Sequence, residues 1–166
     1  MRLIYVMPPS FGPVSSFKPL LPVPISINWQ IKLLNMLTQN FSKIYIKPHP
    51  EDPSNLPTFL SSKFNISLID GRFEEVIQND DLLIYDLKAS TTFGFAIRNN
   101  NPIVLIDFLG LKLDKNSFRA LTQRIGYIEG CFDSNNLPYV NANDLFNEIK
   151  NCTQLNGKEF SKILLG

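Results

Sequence analysis

Short apolar runs alternate with stretches of helical period along most of this chain. Met1-Arg2-Leu3-Ile4-Tyr5-Val6-Met7 opens as a strand and stops at Pro8-Pro9, because proline fixes φ and lacks a backbone donor. Pro13, Pro19, Pro22 and Pro24 follow, so the segment up to residue 24 reads as loop. Its Phe11, Phe17, Leu20, Leu21 and Val23 call for an apolar surface to lie on, such as a partner domain. Ile27, Ile31, Leu34 and Leu37, with Trp29 and Leu33, then recur near the 3.6 period and predict a helix over about 27–40, capped by Ser26 or Asn28.

Strands and helices keep alternating beyond it. Lys43-Ile44-Tyr45-Ile46-Lys47 is a strand closed by Pro48, Asn65 to Ile69 a second, and Phe73 to Ile77 a short helix. Asp81-Leu82-Leu83-Ile84-Tyr85-Asp86 and Pro102-Ile103-Val104-Leu105-Ile106-Asp107 are continuous apolar runs flanked by acids, the pattern of parallel strands buried on both faces. Between them Ser90-Thr91-Thr92 opens a helix through Arg98, and helical signals recur over 114–124 and 142–151. This alternation predicts an α/β fold, a Rossmann-like doubly wound parallel sheet. Residues 1–42 read as a proline-rich leader whose strand and helix pack on the domain, and residues 43–166 as its core.

Composition narrows the functional classes. Of the 166 residues, 44% are hydrophobic and 19% charged, which excludes a disordered or fibrous chain. Sixteen Lys and Arg against 15 Asp and Glu leave a net charge of +1, too small a footprint for a nucleic-acid partner. No apolar run reaches the roughly 20 residues that span a bilayer, and the opening run is too short for a signal peptide. A cytoplasmic protein is expected, with Cys131 and Cys152 as free thiols. One histidine and two distant cysteines argue against a metal site. The motifs GxGxxG, GxxxxGK[ST] and GxSxG do not occur, which removes the fingerprints of dinucleotide binding, P-loop hydrolysis and the hydrolase elbow.

Ligands of open parallel sheets bind beyond the carboxyl ends of the strands, which singles out three places. Lys47-Pro48-His49-Pro50 follows a strand and holds the only histidine between two prolines, which restrict the backbone and pre-orient the imidazole toward a phosphate or a proton. A rigid turn with a capping histidine is the plainer reading. Ser90, Thr91 and Thr92 offer hydroxyls at a helix start, where free N–H groups and the dipole favour an anion. They serve equally as ordinary caps. Gly94 in the same helix would allow close approach to sheet or ligand. Asp107-Phe108-Leu109-Gly110 is the third place and reads as a structural loop. Asp86 suits either a ribose hydroxyl or backbone amides. Asn99-Asn100-Asn101-Pro102 and Asp80-Asp81 read as turns.

The order of these motifs, Ile46-Lys47-Pro48-His49-Pro50, then Asp81-Leu82-Leu83-Ile84, Ser90-Thr91-Thr92 and Asn101-Pro102-Ile103-Val104, resembles a known group. It is similar, over about residues 43–107, to the carboxyl-terminal nucleotide-binding half of GT-B glycosyltransferases of bacterial surface-polysaccharide synthesis. The sialyltransferase-like, capsule Kdo-transferase-like and CDP-glycerol polymerase-like groups carry such an HP motif and a later SS or ST motif. The resemblance implies a cytidine or uridine nucleotide-sugar substrate, no other cofactor, and no metal. It implies that His49 assists the leaving phosphate, with Lys47, Pro50, Ser90, Thr91 and Thr92 around it. It further implies a second Rossmann-like domain or a second copy as partner, and leaves peripheral membrane association open. The alternative is a non-catalytic flavodoxin-like or response-regulator-like binding module, which would show the same alternation of strands and helices.

Overall fold

A computed structural model describes residues 1–9, 21–50, 52–86, 90–108, 110 and 112–152. Six parallel strands form one open sheet: β1 (Leu3–Val6), β2 (Ile44–Lys47), β3 (Ser67–Leu68), β4 (Leu82–Tyr85), β5 (Ile103–Asp107) and β6 (Gly126–Glu129). Their spatial order is β3-β2-β1-β4-β5-β6. The fold is α/β and Rossmann-like, and this order differs from the 2-1-3-4-5 order of flavodoxin-like sheets. β1, drawn from the proline-rich leader, lies inside the sheet and pairs with both β2 and β4. Residues 3–6 therefore belong to the same sheet as the strands of the core.

Helices cover both faces. α1 (Val23–Asn40), α2 (Leu56–Phe64) and α6 (Ala142–Asn151) lie on one face, where Trp29, Leu33, Leu60, Leu145 and Ile149 pack on Tyr5, Ile46, Ile84 and Val104. α3 (Phe73–Val76), α4 (Thr91–Arg98) and α5 (Lys115–Arg124) lie on the other, where Phe73, Phe93, Ile97 and Leu121 pack on Ile4, Val6, Leu83 and Leu105. Strands β1, β4 and β5 are buried at every position, so their side chains alternate between the two cores instead of between core and water.

Several elements depart from the sequence reading. α1 begins at Val23, four residues before the predicted start, because Pro24 falls in its first turn, where a missing N–H costs nothing. Pro57 plays the same part in α2, an element that its short apolar pattern did not announce. β6 and the hairpin of β7 (Cys131–Phe132) and β8 (Pro138–Tyr139) were not anticipated either. Gly126 admits β6 at a crowded place, since a Cβ there would stand 3.0 Å from the Glu148 carboxylate and 3.2 Å from Val104. Cys131 is exposed, Cys152 is buried, and both are free thiols. Among the described residues no helix is long and apolar enough to cross a membrane. The apolar leader positions Phe11, Phe17 and Leu20 lie outside the described residues, as does Leu109.

Candidate functional site at the carboxyl edge of the sheet

From β1 the chain leaves toward the α1 face, and from β4 it leaves toward the α4 face. The two neighbouring strands therefore part their connections in opposite directions, and a crevice opens beyond their carboxyl ends. A cavity of about 730 Å³ occupies this place. Its walls come from the end of β1 (residues 6–9), the end of β2 (47–50), the loop from β3 into α3 (69–74), Tyr85, and the start of α4 (90–92). All six residues marked in the sequence, Lys47, His49, Pro50, Ser90, Thr91 and Thr92, line this single cavity. The two motifs stand about forty positions apart in the chain, and β1 lies between the strands that carry them.

Lys47 is the last residue of β2 and only 5% exposed. Its ammonium makes one long bond, 3.4 Å to the Pro48 carbonyl. Burial lowers its pKa, and the carboxylates of Asp70 and Glu74 across the cavity offset part of that effect. A desolvated ammonium has three donors, so a cation with spare hydrogen-bonding capacity faces the cavity. His49 follows on the turn and is half-buried, its carbonyl accepting from the Asp52 N–H at 3.1 Å. Asp52 in turn accepts from Ser54 N–H at 2.9 Å, which fixes the turn carrying the imidazole.

Ser90 is the N-cap of α4 and accepts from the Phe93 N–H at 3.1 Å. Its hydroxyl also shares a 2.9 Å hydrogen bond with Thr92. The Thr91 and Thr92 amides that precede the capped Phe93 amide have no intrahelical acceptor, and both residues line the cavity. The floor is apolar, formed by Val6, Ile69 and Phe73. Gly71 shapes the opposite rim: its φ of 94° is open to glycine, and a Cβ there would sit 3.0 Å from Val76.

The other strand-end residues serve the scaffold. Asp86 is buried and does not line the cavity; its Oδ2 accepts from the Tyr5 hydroxyl at 2.7 Å and from Trp29 Nε1–H at 2.9 Å. Burial raises its pKa to about 6, against the opposing pull of those two bonds. Asp107 is buried and accepts from the Tyr127 hydroxyl at 3.1 Å. Asn101 ties the turn before β5 to β4, donating to the Gln78 carbonyl at 2.6 Å. Among the described residues no cluster of three or more His, Cys, Asp or Glu is placed to hold a metal ion.

Sequence reasoning overlooked Tyr85 and the loop of Asp70, Gly71, Arg72 and Glu74, all of which line the cavity. Tyr85 sits inside a continuous apolar run and reads as core. The loop follows a two-residue edge strand whose end the pattern did not locate, although Asp70-Gly71 was a turn signal. Compared with known proteins, the chain finds no counterpart: no family model, no curated protein and no solved structure matches it.

Proposed function

We propose that this domain binds a nucleotide-activated sugar, linked through CMP, CDP or UDP, and works as the donor-binding part of a glycosyltransferase of surface-polysaccharide synthesis. One observation carries the reading: Lys47, His49 and the hydroxyl-bearing start of α4 line the same switch-point cavity. In this reading the α4 amides with Ser90, Thr91 and Thr92 hold the donor phosphate, and the Lys47 ammonium neutralises it from the β2 side. The apolar floor takes the flat face of a base or sugar.

Transfer breaks the bond between the anomeric carbon and a phosphate oxygen, so negative charge grows on the departing phosphate. Donors fixed at that place stabilise the transition state more than the ground state. His49 lies on the same wall as Lys47 and acts as phosphate partner, or protonates the leaving oxygen when charged. The acceptor and its base come from a second Rossmann-like domain or a second copy of the chain.

Calorimetric titration with CMP, CDP, UMP and UDP tests this. A preference for one pyrimidine nucleotide, weakened roughly 10-fold or more by His49→Ala and by the Ser90→Ala/Thr91→Ala pair, is expected for lost charge-assisted contacts. A folded chain that binds none of the four, or variants that bind as well as the parent, would overturn it.

A further inference from the structure

We infer that Tyr85 is a ligand-binding residue of this cavity, its hydroxyl donating to the phosphate group seated at the start of α4; the assignment rests on the phosphate reading above and adds a group to it. Four buried side-chain atoms among the described residues have no hydrogen-bond partner: Gln30 Oε1, Asp86 Oδ1, Asn101 Oδ1 and the Tyr85 hydroxyl. Gln30 Oε1 and Asn101 Oδ1 only accept, and Asp86 Oδ1 accepts when the carboxyl is ionised. The Tyr85 hydroxyl carries a donor proton across the whole neutral range, and Tyr85 is the one residue of the four that lines the cavity. A buried donor left unmade costs stability, so its retention calls for an acceptor that arrives from outside.

The surroundings specify that acceptor. Tyr85 ends β4, where it pairs with Val6 on one side and Leu105 on the other. Its ring packs edge-on against Phe93 of α4, with centroids 5.3 Å apart, so the phenol is held at one orientation beside the helix start. Thr92 lies next to the hydroxyl and partly offsets the effect of burial on the phenol, but the two are not in hydrogen-bonding geometry, and the Thr92 hydroxyl bonds Ser90 at 2.9 Å. Tyr85, Thr92 and Ser90 thus present three hydroxyls beside the first turn of α4, a helix of eight residues with its positive dipole end at the cavity. Burial pushes the phenol pKa upward, so the group stays a neutral donor and never repels an anion. A tetrahedral oxyanion with several acceptor oxygens meets these donors together with Lys47; a neutral sugar or a bare base does not.

The test is Tyr85→Phe, which removes the oxygen and keeps the ring. Urea unfolding of the variant is expected to show stability equal to or above the parent's, because an unsatisfied buried group has been deleted. Titration with inorganic pyrophosphate and with CMP is expected to show binding weakened roughly 10-fold, the effect of one hydrogen bond to a charged group. Equal affinity of parent and variant for pyrophosphate, a loss of stability with affinity unchanged, or a parent chain that binds neither probe would each overturn the assignment. The two proposals fail separately. Pyrophosphate binding that depends on Tyr85, with no preference among pyrimidine nucleotides, upholds Tyr85 and removes the nucleotide-sugar reading. Nucleotide preference untouched by Tyr85→Phe does the reverse.

Discussion

The indole N–H of Trp29 and the hydroxyl of Tyr5 converge on one oxygen of Asp86, at 2.9 and 2.7 Å, and so tie α1 and β1 to the end of β4 in the buried interior. The carboxyl they hold has a folded pKa of about 6 against an ordinary 3.8. Between these values the folded state keeps a proton that the unfolded chain releases. Stability from this group is therefore fully present below about pH 4, falls as pH rises toward 6, and stays low above it. The span corresponds to roughly 3 kcal/mol. Asp86→Asn is expected to gain stability relative to the parent as pH is raised from 4.5 to 7.5, measured by urea unfolding at several pH values. Parallel pH profiles for the two proteins would refute this.

Ser90 caps α4, and in the proposed function it also holds the donor phosphate; substitution separates the two. Ser90→Ala removes the cap on Phe93 N–H and should cost about 1 kcal/mol. Ser90→Asp restores a cap of equal quality and adds a charge that suits the helix dipole, so stability should recover to the parent's. The same carboxylate repels a phosphate, and pyrophosphate binding should fall more than 10-fold below the parent's on calorimetric titration. Undiminished binding by Ser90→Asp would place the anion elsewhere.

Gly130 is a packing constraint. A Cβ at this position would lie 2.3 Å from the Phe108 ring, which is itself wedged between Trp29 at 4.7 Å and Phe132 at 5.8 Å. Gly130→Ala should destabilise by about 1–3 kcal/mol, in the range of overpacked cores. Combining it with Phe108→Leu should recover part of that loss, and a double variant no better than the sum of the singles would argue against the clash.

Arg2 grips Asp81 with two hydrogen bonds, Nε to Oδ1 at 2.9 Å and a second nitrogen to Oδ2 at 2.5 Å. Asp81 is completely buried and also accepts from the Gln78 N–H at 2.8 Å. Arg2→Met should therefore cost about 3 kcal/mol by leaving a buried carboxylate without its cation. Because the pair sits at the amino ends of β1 and β4, away from the cavity, nucleotide affinity should be unchanged when measured where both proteins are folded.

Local chemistry made much of this protein legible. The runs at 82–85 and 103–106 are apolar on both faces, and only a strand sandwiched between two helical layers needs that, so their parallel, buried character was readable. Ser90 with its following helix, and Pro48 closing β2, were equally plain, because caps and prolines act within a turn of themselves. The residues of the candidate site could be marked on the same basis, since they stand just past strand ends. Tertiary structure decided the rest. The strand order put β1 between β2 and β4 and so brought Lys47 and His49 to the cavity that Ser90 and Thr92 also line; no local signal encodes which strands become neighbours. Pro24 and Pro57 lie inside helices because first-turn amides need no partner, a matter of register that residue type alone leaves open. Tyr85 could not be told from core by pattern. Whether a phenol in an apolar run meets a partner or waits at a cavity wall depends on what the fold packs beside it.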